Sequence, residues 1–413
     1  MRPSQRPGRA RTEDAGASHS AHLRGLNADR VLNVAIDRPG AFTRTELIEA
    51  TGLSAPTVGI VTMSLIETGV LTDLGTAPSR GGRRPTLMEF NARYAFVAGI
   101  DLGPTRTRLA LADLRGQQLA MEIVPTPSGV GPEELIADLG VVMRALMTRA
   151  EIPHDRLLAI VAGVPGPVDL ATGTVLYAPN LKGWTNVPVL RLLQREFHTT
   201  VLIENDVNLA LLGEHWRGAA RGHDTCAFIF VGTGIGSAVL IDGTLHHGHH
   251  YMAGEIGFMT MAPEHAGQDY GTRGCLETLA GLDALRGRWP RAAEEPPSRW
   301  FAALLEQAQQ GDADARAAID ETARLIGMAT ANVATIVDPS IIVLGGSMFA
   351  EPGPLVDAVR LVVRQIARTP FDVAVSALGK EAPLAGCLLV GRMEAQRRVR
   401  QRLKKSLNQR SMR

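Results

Sequence analysis

The chain contains few cysteines, no long apolar run and almost no net charge, and each absence excludes a class of protein. Three cysteines in 413 residues are too few and too scattered for the disulfide framework of a secreted domain. Neither the ~18 uncharged apolar residues of a membrane span nor the apolar core of a secretory signal occurs, so we expect a cytoplasmic protein without membrane contact. A formal net charge of +1 provides no bulk electrostatic attraction to nucleic acid.

The length and composition are those of a globular protein with several domains. A hydrophobic fraction of 45% and a charged fraction of 21% are typical of soluble folds, and the length corresponds to roughly two or three domains. Basic residues concentrate at both ends. Residues 1–24 are rich in arginine and poor in apolar side chains, which predicts a disordered basic arm. Residues 391–413 are predicted to form a basic C-terminal helix or tail, either a solvated helix end or a nucleic-acid contact.

Residues 25–91 have the pattern of three short helices followed by a β-hairpin. The first helix ends before Pro39, and the second begins with a capping box formed by Thr43 and Glu46. Ser54 is expected to cap the third helix. The buried face of this helix is predicted at helical spacing: Val58, Val61 and Leu65. We interpret the segment as a winged helix-turn-helix that binds DNA, with a small helical bundle used for packing or dimerisation as the alternative.

The residues expected to face DNA lie on the second and third helices and at the tip of the hairpin. Small and hydroxyl-bearing residues at a helix N-terminus can approach base edges or phosphates closely. Arginines at a hairpin tip can reach the phosphates or the minor groove. The predicted DNA-binding residues are Arg44, Ser54, Ala55, Thr57, Thr62, Arg83 and Arg84.

Two later segments resemble each other and indicate an internal duplication. Residues 97–116 and residues 228–243 each contain an apolar strand, a glycine turn, a second apolar strand and an Asp–Gly corner. The turn of such a hairpin exposes backbone amides that can cradle a phosphate. A third glycine turn follows a buried strand over residues 340–344. The predicted nucleotide-binding residues are Asp101, Gly103, Thr105, Gly232, Thr233, Gly234, Gly236, Gly345 and Gly346.

A candidate substrate site lies between these two hairpins in the sequence. The strand over residues 201–203 ends in Glu204-Asn205-Asp206, directly before a predicted helix. An aspartate at the carboxyl end of a strand can accept the proton of a sugar hydroxyl that attacks a γ-phosphate. Helix capping is the structural alternative for Asp206, and it is compatible with the chemical role.

Residues 95–390 resemble the ROK family (repressor, open reading frame, kinase), and together with residues 25–91 the chain resembles the transcriptional regulators of that family. The matching motifs are Asp101-Leu102-Gly103, Glu204-Asn205-Asp206, Gly232-Thr233-Gly234-Ile235-Gly236, Ala253-Gly254-Glu255-Ile256-Gly257, Gly274-Cys275-Leu276-Glu277 and Leu344-Gly345-Gly346. The resemblance implies an α/β fold in which the winged helix is followed by a two-lobed actin-like ATPase (ribonuclease H-like) domain. It also implies that Asp206 is the general base and that the sugar-binding residues are Gly163, Asn180, Asn205, Asp206, Glu255 and Glu277.

The chain departs from the family pattern at the zinc site. The family histidine that contacts both sugar and zinc is replaced by Phe258, and two family cysteines are replaced by Gln268 and Tyr270, so Cys275 is the one thiol left. One thiolate cannot hold a tetrahedral zinc, and we predict that zinc is absent and that Phe258 and Tyr270 order the loop by packing. The histidines at positions 246, 247, 249 and 250 are interpreted as polar surface rather than a metal site, although one of them could contact a ligand.

The first glycine turn also departs from the pattern of the family's kinases. Pro104 stands in place of a glycine and removes one amide donor from the phosphate cradle. We therefore favour a sugar-responsive transcriptional regulator, most simply a repressor, that binds operator DNA and a sugar or sugar phosphate as a homodimer or homotetramer and requires no cofactor. An ATP- and Mg²⁺-dependent sugar kinase with an appended DNA-binding arm is the alternative. A DNA-binding protein whose ligand pocket has decayed is a third hypothesis.

Overall fold

The computed structural model describes residues 10–76, 85–350 and 352–410. Arg83 and Arg84, which the sequence analysis assigned to DNA, lie outside the described residues. Within the described ranges, every helix is too short or too polar to span a bilayer.

The N-terminal part contains three helices and a small antiparallel sheet. Its elements are α1 (Ala10–Asp37), β1 (Phe42–Thr43), α2 (Arg44–Thr51), α3 (Ala55–Glu67), β2 (Leu71–Thr76) and β3 (Thr86–Phe90). β3 is the central strand, with β1 and β2 paired antiparallel on either side of it. Because α1 already begins at Ala10, residues 10–24 are helical, and the prediction of a disordered arm is wrong for them. Extending a helix from a packed segment costs much less free energy than starting one.

Local side-chain chemistry fixes the start of α2 and α3 and the end of α2 as the sequence predicted. The Thr43 backbone N–H donates to Glu46 Oε2 at 2.7 Å, and the Glu46 N–H donates to Thr43 Oγ1 at 3.3 Å. Gly52 ends α2 with a φ of 67°, in the left-handed region that favours glycine. The Ser54 hydroxyl accepts from the Thr57 N–H at the start of α3. The apolar stripe predicted for α3 is buried against α1 and α2.

Two five-stranded mixed sheets with the same plan follow. The elements of the first lobe are β4 (Phe96–Leu102), β5 (Arg106–Asp113), β6 (Gln118–Pro125), α4 (Pro132–Arg149), β7 (Leu157–Val164), β8 (Val168–Asp169), β9 (Thr174–Tyr177), β10 (Thr185–Val187), α5 (Val189–Glu196) and β11 (Thr200–Asn205). The strand order is β11-β7-β4-β5-β6. β4, β5 and β6 form an antiparallel meander, and β7 and β11 add to it in parallel.

The second lobe repeats this arrangement. Its elements are α6 (Asp206–Arg217), β12 (Cys226–Val231), β13 (Ile235–Ile241), β14 (Thr244–Leu245), α7 (Cys275–Ala280), α8 (Leu282–Arg288), α9 (Trp300–Gln310), α10 (Ala313–Val337), β15 (Ile341–Gly345), α11 (Pro354–Ile366), β16 (Asp372–Val375) and α12 (Ala382–Arg410). The order β14-β13-β12-β15-β16 again joins a three-stranded meander to two parallel strands. The duplication predicted from the two glycine hairpins is therefore present in the fold.

The long helix α12 connects all parts of the molecule. Its first half packs against α6 so closely that a Cβ at Gly386 would lie 2.0 Å from the Leu209 carbonyl oxygen. Its second half contacts α1, where Lys404 Nζ lies 2.6 Å from Asp29 Oδ2. The buried apolar residues of this half recur every four positions: Ala395, Val399, Leu403 and Leu407. The basic segment predicted as a separate helix or tail from residue 391 is thus the continuation of a packed helix, because a narrow apolar stripe is hidden among its charges.

Candidate functional site

A cleft between the two lobes holds most of the predicted sugar-binding residues. Its cavity of about 200 Å³ is more than ten times the roughly 10–15 Å³ that one water needs. Loops at the carboxyl ends of the strands line it, as expected for a site between α/β units. The predicted residues that line the cavity are Asn180, Asn205, Asp206, Glu255 and Glu277. Gly163 does not line it: this glycine is buried in β7, and a Cβ there would meet Leu209 at 2.8 Å. Its predicted sugar contact is replaced by a packing role.

Asn205 and Asp206 are positioned by the start of α6. Asn205 Oδ1 accepts from the backbone N–H of Val207 at 2.9 Å and of Asn208 at 3.1 Å, so Asn205 is the residue that caps the helix. Its Nδ2 donates to the Gly166 carbonyl at 3.0 Å. Asp206 is the first helical residue. Burial, and then the charge of Asp101, raise the pKa of Asp206 to about 7, which suits a group that exchanges a proton near neutral pH.

Glu255 and Glu277 line the cavity from the second lobe. Burial and the neighbouring Glu277 raise the pKa of Glu255 to about 7. Glu277 Oε2 accepts from the Ile235 N–H at 3.0 Å, which fixes the carboxylate beside the second glycine turn. These side chains present several acceptors at fixed positions, an arrangement suited to a ligand rich in hydroxyl groups.

Tyr177 is a cavity residue that the sequence analysis missed. It lies at the end of β9, and its hydroxyl is buried without a hydrogen-bond partner among the described residues. Burial, Glu255 and Glu277 together raise the pKa of Tyr177 to about 12, so the phenol keeps its proton as a donor. Its position three residues before Asn180, which the resemblance assigned to the site, was the signal that could have identified it.

His247, one of the four clustered histidines, contacts the strand end that carries Asn205. Its Nε2 lies 2.8 Å from Glu204 Oε2, and the hydrogen bond to this carboxylate raises the pKa of His247. Glu204 Oε1 accepts from the Asn205 N–H and from Asn208 Nδ2, both at 2.9 Å. His247 therefore ties its loop to the strand end that carries Asn205. Among the described residues no group of three or more histidine, cysteine or acidic side chains is arranged to hold a metal.

The predicted nucleotide-binding residues are only partly brought to the cavity. Thr233, Gly234 and Gly236 line it, next to Pro104. At the first turn, the Gly103 N–H already donates to the Arg106 carbonyl at 3.2 Å. The remaining predicted residues do not line the cavity: Asp101, Thr105, Gly232, Gly345 and Gly346. Among them, the Gly232 N–H donates to the Gly234 carbonyl and Gly345 packs under the Phe228 ring. The second hairpin thus offers a more open surface to a phosphate than the first.

The segment that corresponds to the zinc loop of the family that the sequence resembles carries different side chains. Tyr270 packs against the core of the second lobe, and its hydroxyl donates to Gln268 Oε1 at 3.0 Å. Cys275 is buried at the start of α7. Phe258 is 41% exposed and lines the cavity, so the prediction that it orders this loop by packing is wrong. One thiol beside an amide and a phenol does not make the donor set of a zinc site.

The residues predicted to face DNA separate into exposed and buried groups. Ser54 and Ala55 are exposed at the start of α3, and Thr57 is half-buried. Thr62 is buried, with its hydroxyl donating to the Val58 carbonyl at 2.8 Å, so the prediction that it faces DNA is wrong. Arg44 is half-buried, and its Nε donates to Thr62 Oγ1. The large apolar side chains of α3 that are exposed are Ile60 and Met63, and neither was among the predicted DNA-binding residues.

The chain is similar to proteins of one family over most of its length. Residues 97–392 match the model of the ROK family. A xylose repressor from Caldicellulosiruptor bescii is 30% identical over 387 residues, which cover 89% of this chain and 95% of that protein. A ROK family glucokinase from Streptomyces griseus, solved with glucose and AMPPNP, has a TM-score of 0.60 at 28% identity over 72% of this chain and 100% of its own. A ROK family transcriptional regulator, a homologue of the E. coli MLC protein, has a TM-score of 0.74 at 22% identity over 93% of this chain and 100% of its own.

Proposed function

The chain belongs to the ROK family, and from that premise we propose that it is a sugar-responsive transcriptional repressor. In this proposal the N-terminal residues bind operator DNA, and the cleft binds a sugar or sugar phosphate. The proposal rests on the fraction of the chain that is similar to a repressor. The xylose repressor aligns with 89% of the chain, whereas the glucokinase structure covers 72%. The additional coverage is about as long as residues 25–91, the segment with the sequence pattern of a winged helix-turn-helix.

The exposed face of α3 is the surface that would enter the major groove. Ala55, Gly59, Ile60 and Met63 lie on it, and Ile60 is 61% exposed. With small and apolar side chains on this face, the helix can approach base edges closely and contact thymine methyl groups. In the proposal, Arg83 and Arg84, which precede β3 in the sequence, supply phosphate contacts.

The cleft supplies the groups that a sugar requires. Amide, carboxylate and phenol groups converge from both lobes, and each well-formed hydrogen bond to a ligand hydroxyl contributes about 1 kcal/mol. The buried hydroxyl of Tyr177 lacks a partner in the described structure, so a ligand oxygen would satisfy it. The loop that follows Phe258 would need no zinc. One equivalent of zinc in the purified protein that is lost with Cys275→Ser would refute this part of the proposal.

The packing of α12 offers a route between the cleft and the DNA-binding face. α6 begins at Asp206 in the cleft and packs along its length against the first half of α12. The second half of α12 contacts α1 and α3. Closure of the lobes on a sugar would move α6 and α12 together and shift α3. In a homodimer or homotetramer this shift changes the separation of paired recognition helices, and hence the affinity for half-sites spaced by whole helical turns.

The decisive experiment measures DNA binding with and without a ligand. A thermal-shift screen of sugars and sugar phosphates first identifies the ligand. Fluorescence anisotropy with DNA from upstream of the chain's own gene then gives the affinity in the presence and absence of that ligand. We expect a specific complex whose affinity the ligand changes. The absence of a specific complex would overturn the proposal, and a complex that no sugar affects would favour the hypothesis of a decayed pocket.

A matched pair of glycine variants tests the assignment of α3. A Cβ at Gly59 or at Gly287 meets no atom within 4 Å, so the folded protein accommodates either Gly→Ala change, and helix propensity predicts unchanged or higher stability. We expect Gly59→Ala to weaken operator binding by about tenfold, because the added methyl intrudes between the helix and the bases. Gly287→Ala, on α8, should leave the affinity unchanged. Equal affinities for both variants would contradict the assignment.

A sugar kinase is the second candidate, and Asp206 is the observation that favours it. Its carboxyl lines the cleft and its pKa is raised to about 7, as a general base for phosphoryl transfer requires. A coupled ADP-release assay with ATP, Mg²⁺ and each sugar tests this function. Turnover that is lost with Asp206→Asn would establish a kinase, and no turnover above that of the variant would leave the repressor as the function.

A further inference from the structure

Two acidic residues lie at the carboxyl ends of strands in the first sheet: Asp206, which lines the cleft, and Asp101, which does not. Asp101 of β4 pairs with Gly163 of β7, and Gly163 pairs in turn with Glu204 of β11, two residues before Asp206. The charge of Asp101 contributes to the raised pKa of Asp206. Glu381, directly before α12, adds a third negative charge near Asp101. Carboxylates beside phosphate-binding turns are the groups that hold Mg²⁺ for a nucleotide. A cation is therefore expected at this place.

Arg108 already supplies that cation. Asp101 and Arg108 are paired residues of the antiparallel β4 and β5 strands, and Arg108 Nη1 lies 3.0 Å from Asp101 Oδ2. The Arg108 side chain is 17% exposed, and its Nε has no hydrogen-bond partner among the described residues. Because an arginine does not lose its proton in a protein, this positive charge is permanent.

A metal–nucleotide does not fit beside this pair. The guanidinium occupies an oxygen of Asp101 that would coordinate a metal, and its charge repels a divalent ion. The neighbouring turn is also closed to phosphate, since Pro104 has no N–H and the Gly103 N–H is bonded within the hairpin. At the first turn, the donors that a Mg²⁺-bound phosphate would use are thus missing or already bonded within the hairpin.

We propose that Arg108 is a built-in counter-ion that replaces the metal at this end of the cleft, so that the protein binds its ligand without a divalent metal or a nucleotide. The part concerning the ligand rests on the proposed sugar binding, whereas the replacement of the metal depends on Asp101 and Arg108 alone. Arg108 would then neutralise the negative charge of Asp101 when a sugar binds in the cleft without a metal.

Binding of Mn²⁺, followed by electron paramagnetic resonance with and without ATP, tests the replacement directly and requires neither sugar nor DNA. We expect no bound Mn²⁺ in the wild-type protein at millimolar concentration, and a Mg²⁺-displaceable Mn²⁺ site in Arg108→Ser. The double variant Asp101→Asn/Arg108→Ser should lose that site again. Arg144→Ser is the matched control, because Arg144 forms a 2.6 Å pair with Glu196 outside the cleft, and it should bind no Mn²⁺.

The melting temperature provides a second measurement that does not depend on a fully stable variant. Arg108→Ser leaves a buried carboxylate without its partner and should melt several degrees below the wild type. Mn²⁺ should restore part of the loss in Arg108→Ser and leave the wild type unchanged, and Arg108→Lys should exclude Mn²⁺ as the wild type does. The proposal is overturned if the wild type binds Mn²⁺ as tightly as Arg108→Ser, or if Arg108→Ser gains neither Mn²⁺ binding nor stabilisation by the metal.

Discussion

Replacing Leu403 by alanine tests whether the second half of α12 is part of the folded core. Leu403 is 2% exposed and belongs to a buried cluster with residues of α1, α3 and the first sheet. The substitution removes three carbon groups at about 0.8 kcal/mol each, and an incompletely filled cavity brings the expected loss to about 2–5 kcal/mol. A solvated helix end, the reading that the basic composition favoured, would lose almost nothing.

Guanidinium denaturation followed by circular dichroism measures the free energy of unfolding. Arg402→Ala is the control, since Arg402 precedes Leu403 on the same helix and is exposed. Leu403→Met is a second control, because it preserves the apolar volume and should cost less than about 1.5 kcal/mol. If Leu403→Ala loses no more than about 0.5 kcal/mol, as an exposed position does, then α12 does not dock as described.

If the docking of α12 also transmits the ligand signal, Leu403→Ala will have a second effect. The variant should still bind the ligand in the cleft, which lies at the other end of α12, but the ligand should change its DNA affinity less than in the wild type. Thermal shift with the ligand and anisotropy with operator DNA separate the two effects. An undiminished ligand response in a destabilised variant would exclude α12 as the route.

Three further predictions concern the cleft. Because burial raises the pKa of Asp206 from its ordinary value of 3.8 to about 7, the folded chain keeps a proton that the unfolded chain has released. The free energy of unfolding should therefore fall by up to about 4 kcal/mol as pH rises from about 4 to 7; Asp206→Asn should flatten a denaturation series in that window, and an unchanged slope would contradict the assignment. Tyr177→Phe should weaken ligand binding about tenfold in calorimetry without lowering the melting temperature, since the hydroxyl has no partner in the described structure; equal affinity would show that the phenol does not contact the ligand. His247→Ala should weaken ligand binding because it removes the 2.8 Å contact between His247 Nε2 and Glu204 Oε2. His250→Ala, at an exposed position, should leave ligand binding unchanged; matching losses would rule out the contact with Glu204 as the cause.

The features that the sequence predicted well are those that depend on interactions between residues close together in the chain. A capping box, a glycine at a positive φ and an apolar stripe depend on residues within a few positions of each other, so α2 and α3 begin and end as expected. The two glycine hairpins and the Asn205-Asp206 strand end are likewise local patterns, and the fold brings them to one cleft. These patterns did not predict the burial of each side chain or its partners in the folded protein.

Two of the wrong predictions, those for Thr62 and Gly163, arise because residue type alone does not determine which groups surround a side chain. Thr62 is buried because its hydroxyl can bond the carbonyl one turn earlier, an option that lets a polar residue join the inner side of a helix. Gly163 lies under Leu209 because packing in β7 allows no side chain there. The burial of Thr62 thus depends on a backbone carbonyl, and that of Gly163 on a side chain distant in sequence.

The same cause explains why the charges of this chain were the hardest feature to interpret. Counted along the sequence, the arginines of α12 predict a free tail, although the helix is held by an apolar stripe and by an ion pair between Lys404 and Asp29. In the sequence, Arg108 is one of several arginines after the first glycine turn and has no evident partner. The register of β4 and β5 places it opposite Asp101, with which it forms an ion pair. Pairing across a sheet depends on strand register, which a single strand's sequence does not specify. A near-zero net charge is therefore compatible with charges that act at specific places, Arg108 beside Asp101 in the first sheet and Lys404 beside Asp29 between α12 and α1.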